Sequence, residues 1–260
     1  MKKENVMLGE YLGGGLFNLR FLPRPEEDMP KNDCEQLIFD AMNLISSGKA
    51  AQGRKKLEMA WHRYHSWRAG MRLMRGIIDG WFAEKDYEYA VRILRTMILE
   101  DNPLAMNDLA CLYQTGKGVK KSVRWAIYWF EKANAHGCLA AKSNLAQIFI
   151  LGAKKYRDDA RGFLLLKEAM KEGDSEAFNI MGICYNKGYG VKRDAQKAFK
   201  MYAKAYELGA GPASISNLAN MYFKGQGVKP DRQKAKVLFQ EAKDGGYPVD
   251  EDIVTALQLT

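Results

Sequence analysis

Glu58, His62 and His65 are spaced four and three residues apart, so a helix through them presents one carboxylate and two imidazoles on a single face. Those groups could ligate a metal or move a proton. The remaining histidine, His136, is remote in sequence, and no fourth ligand or supporting partner accompanies the trio. The same side chains would equally suit a packing or solvated helix face. The four cysteines, Cys34, Cys111, Cys138 and Cys184, form no CxxC pair and no zinc spacing, which points to free thiols in a reducing compartment. The segments GKGV, GYGV and GQGV look superficially like phosphate loops, but no strand pattern precedes them and no GK[ST] follows. The sequence therefore predicts no catalytic residue, no metal and no cofactor.

Composition narrows the class further. Of 260 residues, 47% are hydrophobic and 27% charged, which excludes wholesale disorder. Forty Lys and Arg against 31 Asp and Glu leave a net charge of +9. No stretch approaches the ~18 apolar residues of a membrane span. The opening MKKENVMLGEYLGGGLFNLRFL is interrupted by Glu4 and Glu10 and lacks the apolar core and cleavage site of a secretion signal. A cytoplasmic chain is expected.

The elements that must position any site are set by a repeat. LACLYQTGKGV (109–119), MGICYNKGYGV (181–191) and LANMYFKGQGV (218–228) align, and Gly116, Gly152, Gly188 and Gly225 lie 36, 36 and 37 residues apart. Seven residues before each glycine stands Leu109, Leu145, Met181 or Leu218; three before it stands Tyr113, Phe149, Tyr185 or Tyr222. Six after it stands Ser122, Asp158, Asp194 or Asp231, and small residues recur at Ala126, Gly162, Ala198 and Ala235. Apolar and small residues at three- and four-residue intervals on both sides of a glycine turn specify two amphipathic helices per unit, the second capped by Ser or Asp.

A single helix pair cannot bury its apolar face, so the pairs must stack into an all-α, right-handed α-α solenoid. Six units are expected, at about 34–66, 67–102, 103–137, 138–173, 174–209 and 210–246. The turn of the 138–173 unit should differ locally, because Ala153-Lys154-Lys155 replaces its second glycine and valine. Residues 1–33 read as an irregular arm, 34–102 as two TPR-like repeats, 103–246 as four closely related repeats, and 247–260 as a C-terminal capping helix.

The motif running from the small residue and Leu-Gly-x-x-Tyr through the Gly-x-Gly-Val turn, Asp, Lys-Ala and a final Lys-Ala resembles the Sel-one-like repeat family, relatives of tetratricopeptide repeats. It is clearest at 181–209 and 218–246. The resemblance implies a non-enzymatic protein-interaction scaffold or adaptor, such as a bacterial regulator, a chaperone-like adaptor or an immunity protein. Cysteine-rich secreted members linked to penicillin-like compounds carry paired cysteines that are missing here, so that activity is not implied.

Two surfaces are expected to bind a partner. If the family geometry holds, the first helices line a concave groove holding Asn107, Ser143, Asn179 and Ser216 and, four residues further on, Cys111, Gln147, Ile183 and Asn220. Amide side chains there could pair with the backbone of an extended peptide, and Arg68 and Arg75 could receive a carboxylate. The asparagines should point into the groove and contribute little to folding. The second surface is a basic edge after the turns, carrying Lys120, Lys121, Lys154, Lys155, Arg157, Lys192 and Arg193 and suited to an acidic protein. Residues 103–173 alone carry twelve Lys and Arg against six Asp and Glu. The cluster Trp125, Tyr128, Trp129 and Phe130 reads as core plus one exposed ring. Nucleic acid and membrane are disfavoured as partners. The alternative function is an enzyme or small-ligand protein acting on an envelope precursor or an antibiotic.

Overall fold

In a computed structural model the described residues are 33–259, so the expected N-terminal arm, apart from Asp33, lies outside them. Every regular element among the described residues is helical. They divide into two compact units, 33–138 and 139–259. The first unit contains α1 (Asp33–Ser46), α2 (Ala50–Tyr64), α3 (Trp67–Asp79), α4 (Tyr87–Ile98), α5 (Pro103–Thr115) and α6 (Val123–Ala135). The second contains α7 (Leu139–Leu151), a 3-10 turn (Lys154–Tyr156), α8 (Asp159–Lys171), α9 (Ser175–Lys187), α10 (Ala195–Glu207), α11 (Pro212–Lys224), α12 (Arg232–Asp244) and α13 (Glu251–Leu257). Within each unit the helices up to α12 pair in order, each odd-numbered one with the next, three pairs per unit, and successive pairs stack as an α-α solenoid. In 139–259 the first helices of neighbouring pairs, α7 and α9, also touch directly.

The repeated residues account for these elements one by one. The side chains of Asp86, Ser122, Asp158, Asp194 and Asp231 accept hydrogen bonds from backbone N–H groups in the first turns of α4, α6, α8, α10 and α12, groups that a helix start leaves without partners. The cap also ties the hairpin shut. The N–H of Ser122, Asp158, Asp194 and Asp231 donates to the carbonyl of Tyr113, Phe149, Tyr185 and Tyr222 at 2.8, 2.9, 2.9 and 3.0 Å. This bond brings the aromatic residue before each turn beside the start of the second helix.

Small residues set how closely the two helices approach. A β-carbon at Gly182 would lie 2.6 Å from the ring of buried Tyr202, so α9 and α10 meet at a distance only glycine permits. The last repeat keeps a core of Leu218, Met221, Leu238 and Phe239, and α13 lays Ile253, Val254 and Leu257 onto it.

The 138–173 repeat departs as its sequence demands. Gly116, Gly188 and Gly225 end their helices in the left-handed region, whereas Gly152 does not, and a 3-10 turn follows it. At Gly190, φ is +63°, and an added β-carbon would stand 2.5 Å from the Phe163 ring. Gly190→Val is therefore expected to cost about 2 kcal/mol. Exposed Lys154, at the same register in a turn with ordinary φ, should accept valine within about 0.5 kcal/mol. Urea melts of the two variants check the difference, and equal midpoints would contradict the assigned turn.

Candidate partner-binding site

In residues 33–138 the expected groove residues lie on α3 and α5, and the structure shows that the arginines are already engaged. The Arg68 guanidinium lies 3.6 Å from Glu35, and Arg75 lies 4.0 Å from Asp79. The Asn107 amide donates to Asp108 at 3.3 Å. Burial pushes the Asp79 and Asp108 carboxyls above the usual range, Arg75 pulling each back in part. Burial first, and the Asp108 charge second, push the Cys111 thiol up to about 12, so this cysteine is no nucleophile at neutral pH.

In residues 139–259 the polar row of the first helices forms a connected network. The Ser143 hydroxyl on α7 donates to Asp174, whose other oxygen caps α9 by accepting from the Glu176 N–H at 2.9 Å. On α9, Asn179 donates its amide to Glu176 at 3.0 Å, and its oxygen accepts from Asn217 of α11, also at 3.0 Å. Asn220 donates to the Ser216 carbonyl at 3.0 Å. Burial, reinforced by the nearby Asp174 carboxylate and only partly offset by Asn179, pushes Glu176 up to about 8. Asp174 is raised by burial as well, with Ser143 and two backbone N–H groups pulling against it.

This network corrects one expectation. Asn179 is 4% exposed and Asn107 is buried, so neither amide simply projects into a groove; Asn179 joins α9 to α11 and Ser143 joins α7 to the cap of α9, while Ser216 is buried as well. Gln147 and Asn220 remain half-exposed, and Ile183 packs beside the last repeat's core. Sequence reading missed Asp174, Glu176 and Asn217. A signal existed for Glu176: at its register the other three repeats carry Leu104, Ala140 and Ala213, so a carboxylate is out of pattern.

The basic-edge residues Lys120, Lys121, Lys154, Lys155, Lys192 and Arg193 are all exposed. Lys155 covers the Tyr156 ring at 4.8 Å, and Arg157 pairs with Asp159 at 2.9 Å. The trio on α2 is drawn elsewhere: Glu58 accepts from Arg54 at 2.9 Å, His62 sits 3.1 Å from the Tyr89 hydroxyl, and His65 ends the helix in the left-handed region. Among the described residues no group of three His, Cys, Asp or Glu could hold a metal ion, and no helix is long and apolar enough to cross a membrane.

The repeats match those of known proteins. The Sel1 repeat family matches residues 103–138, 175–209 and 212–247. An ERAD-associated E3 ubiquitin-protein ligase component HRD3B from Arabidopsis thaliana is 30% identical over 121 residues, 44% of this chain and 18% of that protein. The chain thus spans under a fifth of such relatives' length. A Sel1 repeat protein from Oxalobacter formigenes shares the fold with a TM-score of 0.62 at 23% identity, covering 85% of this chain and 88% of that one. An immunity protein, PA5088, from Pseudomonas aeruginosa does so with a TM-score of 0.58 at 17% identity, covering 94% and 95%. Three matched segments, on helix pairs that share their fold with solved Sel1-repeat structures, show that this chain carries Sel1 repeats.

Proposed function

We propose that the chain is a non-enzymatic adaptor that holds another protein through the first-helix face of its repeats, assisted by the basic edge, in the cytoplasm. The observation that carries this reading is the polar row of 139–259. Buried Ser143, Asn179 and Ser216 anchor it, while half-exposed Gln147 and Asn220 keep amide groups for a partner's backbone. An extended segment of the partner offers backbone N–H and C=O groups regardless of its side chains. The exposed lysines after the turns favour an acidic partner and speed its approach. Free Cys34, Cys111, Cys138 and Cys184 suit a reducing compartment. The similar proteins include a Pseudomonas immunity protein and a ubiquitin-ligase component, and of these two roles immunity, by blocking a toxin, is the one we favour.

The test uses the full chain as bait and compares it with a Gln147→Ala/Asn220→Ala variant and a Lys154→Glu/Lys155→Glu variant. The amide variant should weaken a captured partner by about 1–2 kcal/mol through faster dissociation. The charge variant should chiefly slow association and flatten its salt dependence. A partner bound normally by the amide variant and lost with the charge variant would move the site to the basic edge.

A further inference from the structure

The 103–138 repeat breaks a rule that the three repeats after it keep, as does Tyr89, three residues after Asp86 in the repeat before it. Three residues after the capping Asp, the second helix carries Arg161, Lys197 or Lys234. Each lays its cation over the aromatic ring before its own turn: Arg161 over Phe149 at 4.8 Å, Lys197 over Tyr185 at 5.5 Å and Lys234 over Tyr222 at 5.3 Å. In the 103–138 repeat this register holds Trp125, which stacks on Tyr113 with centroids 6.1 Å apart and planes at 27°. Trp125 is 51% exposed. One turn further along α6, Tyr128 is 43% exposed, and it meets Trp125 edge-on at 5.5 Å and Trp129 edge-on at 5.2 Å. Only Phe130 of the cluster is core, against the expectation of a core group with one exposed ring.

The fold does not require this arrangement, since a lysine or arginine serves at the same place in three sibling repeats. Half-exposed Trp and Tyr side chains held rigid by their neighbours are what protein interfaces use as anchors. The surrounding charge says what they anchor. Lys120, Lys121 and Arg124 are exposed and make no ion pair with any described residue, and Lys132 lies over the Tyr128 ring at 5.9 Å. Open ring faces for stacking bases are scarce, because Tyr113 covers one face of Trp125 and Lys132 one face of Tyr128. Ring edges beside a cationic rim fit apolar side chains flanked by carboxylates.

We propose that Tyr113, Trp125, Tyr128 and Trp129 form a docking surface for an acidic protein segment carrying an apolar side chain. The surface shares no residue with the variants that test the first-helix groove, so either reading can fail alone. The experiment follows the indole N–H signals of the 15N-labelled full chain by NMR. The probes are a synthetic peptide of Asp and Glu around one Leu, the same peptide with Ser for Leu, and oligothymidylate. The leucine peptide should saturably shift the Trp125 and Trp129 signals and leave those of Trp61 and Trp81 in place, and the serine peptide should bind about tenfold more weakly. Trp125→Lys restores the sibling pattern, so it should melt like the parent while binding the leucine peptide about tenfold more weakly or worse. Tyr128→Lys, with Lys200 as its precedent, is the second variant should the first destabilise the chain. The proposal is overturned if the Trp125 signal stays still up to millimolar peptide, or if both lysine variants bind normally. Saturation by oligothymidylate but not by peptide would reassign the surface to nucleic acid. Shifts that follow protein concentration alone would reassign it to a second copy of the chain.

Discussion

Gly227→Val is expected to lower stability by roughly 3 kcal/mol or more, the largest effect among the turn glycines. At φ of +71°, a β-carbon on residue 227 would lie 2.1 Å from the Ala195 carbonyl oxygen and 2.4 Å from its carbon. Ala195 opens α10, so the obstacle is helix backbone, which cannot swing aside as a side chain can. The turn of the last repeat is thereby seated directly on the second helix of the repeat before it. Gly209 provides the comparison: φ is +76°, but nothing lies within 4 Å of an added β-carbon. Gly209→Ala should cost only the left-handed conformation, about 1 kcal/mol. Chemical denaturation of both variants measures the difference, and similar losses would remove the proposed contact between turn and helix.

Glu176→Gln should change how stability depends on pH. Folded Glu176 keeps its proton to about pH 8, whereas an unperturbed glutamate releases it near 4.5. Between those values the native state binds more protons than the unfolded chain, so stability falls as pH rises. The contribution is complete below about 4.5 and is lost as pH passes 8. Glutamine retains an oxygen for the Asn179 amide without the charge that burial opposes. At pH 8 the variant is expected to be more stable than the parent by on the order of 2 kcal/mol. The advantage should fade towards pH 5, and a shallower slope of the same sign should survive because Asp174 is also raised by burial. Urea melts at half-unit steps of pH measure both curves. Parallel curves would mean that Glu176 ionises freely in the folded chain.

Much of this architecture was legible because the repeat states each requirement several times. Asp158, Asp194 and Asp231 announce caps by recurring at one distance from a glycine, and the caps form as that spacing requires. The aromatic before each turn was equally visible, as was the odd turn at 153–155. What could not be read was the partner of each polar side chain across repeats. Asn179 looked like one more groove amide; its bond to Asn217 depends on how α9 and α11 are offset, which no periodicity encodes. Arg68 looked available for a carboxylate because Glu35 became its neighbour only when helices packed, whereas the Arg75–Asp79 pair, four residues apart on α3, was there to be read. The exposure of Trp125 was hidden for the opposite reason. An aromatic at helical spacing predicts core, and only comparison with Arg161, Lys197 and Lys234 marks its register as an outward one.

The short helix α13 has a consequence for assembly. A stack of like repeats behaves as a one-dimensional lattice: each unit ends in a face that matches the next, and the rule for adding a unit contains no instruction to stop. Ile253, Val254, Leu257 and Leu259 occupy that face on the last repeat with a segment that follows none of the repeat's spacing. A second chain arriving there finds that face already covered, and Glu251 and Asp252 meet it with charge. Among the described residues, α13 thus withholds from a second copy the surface on which a further repeat would stack.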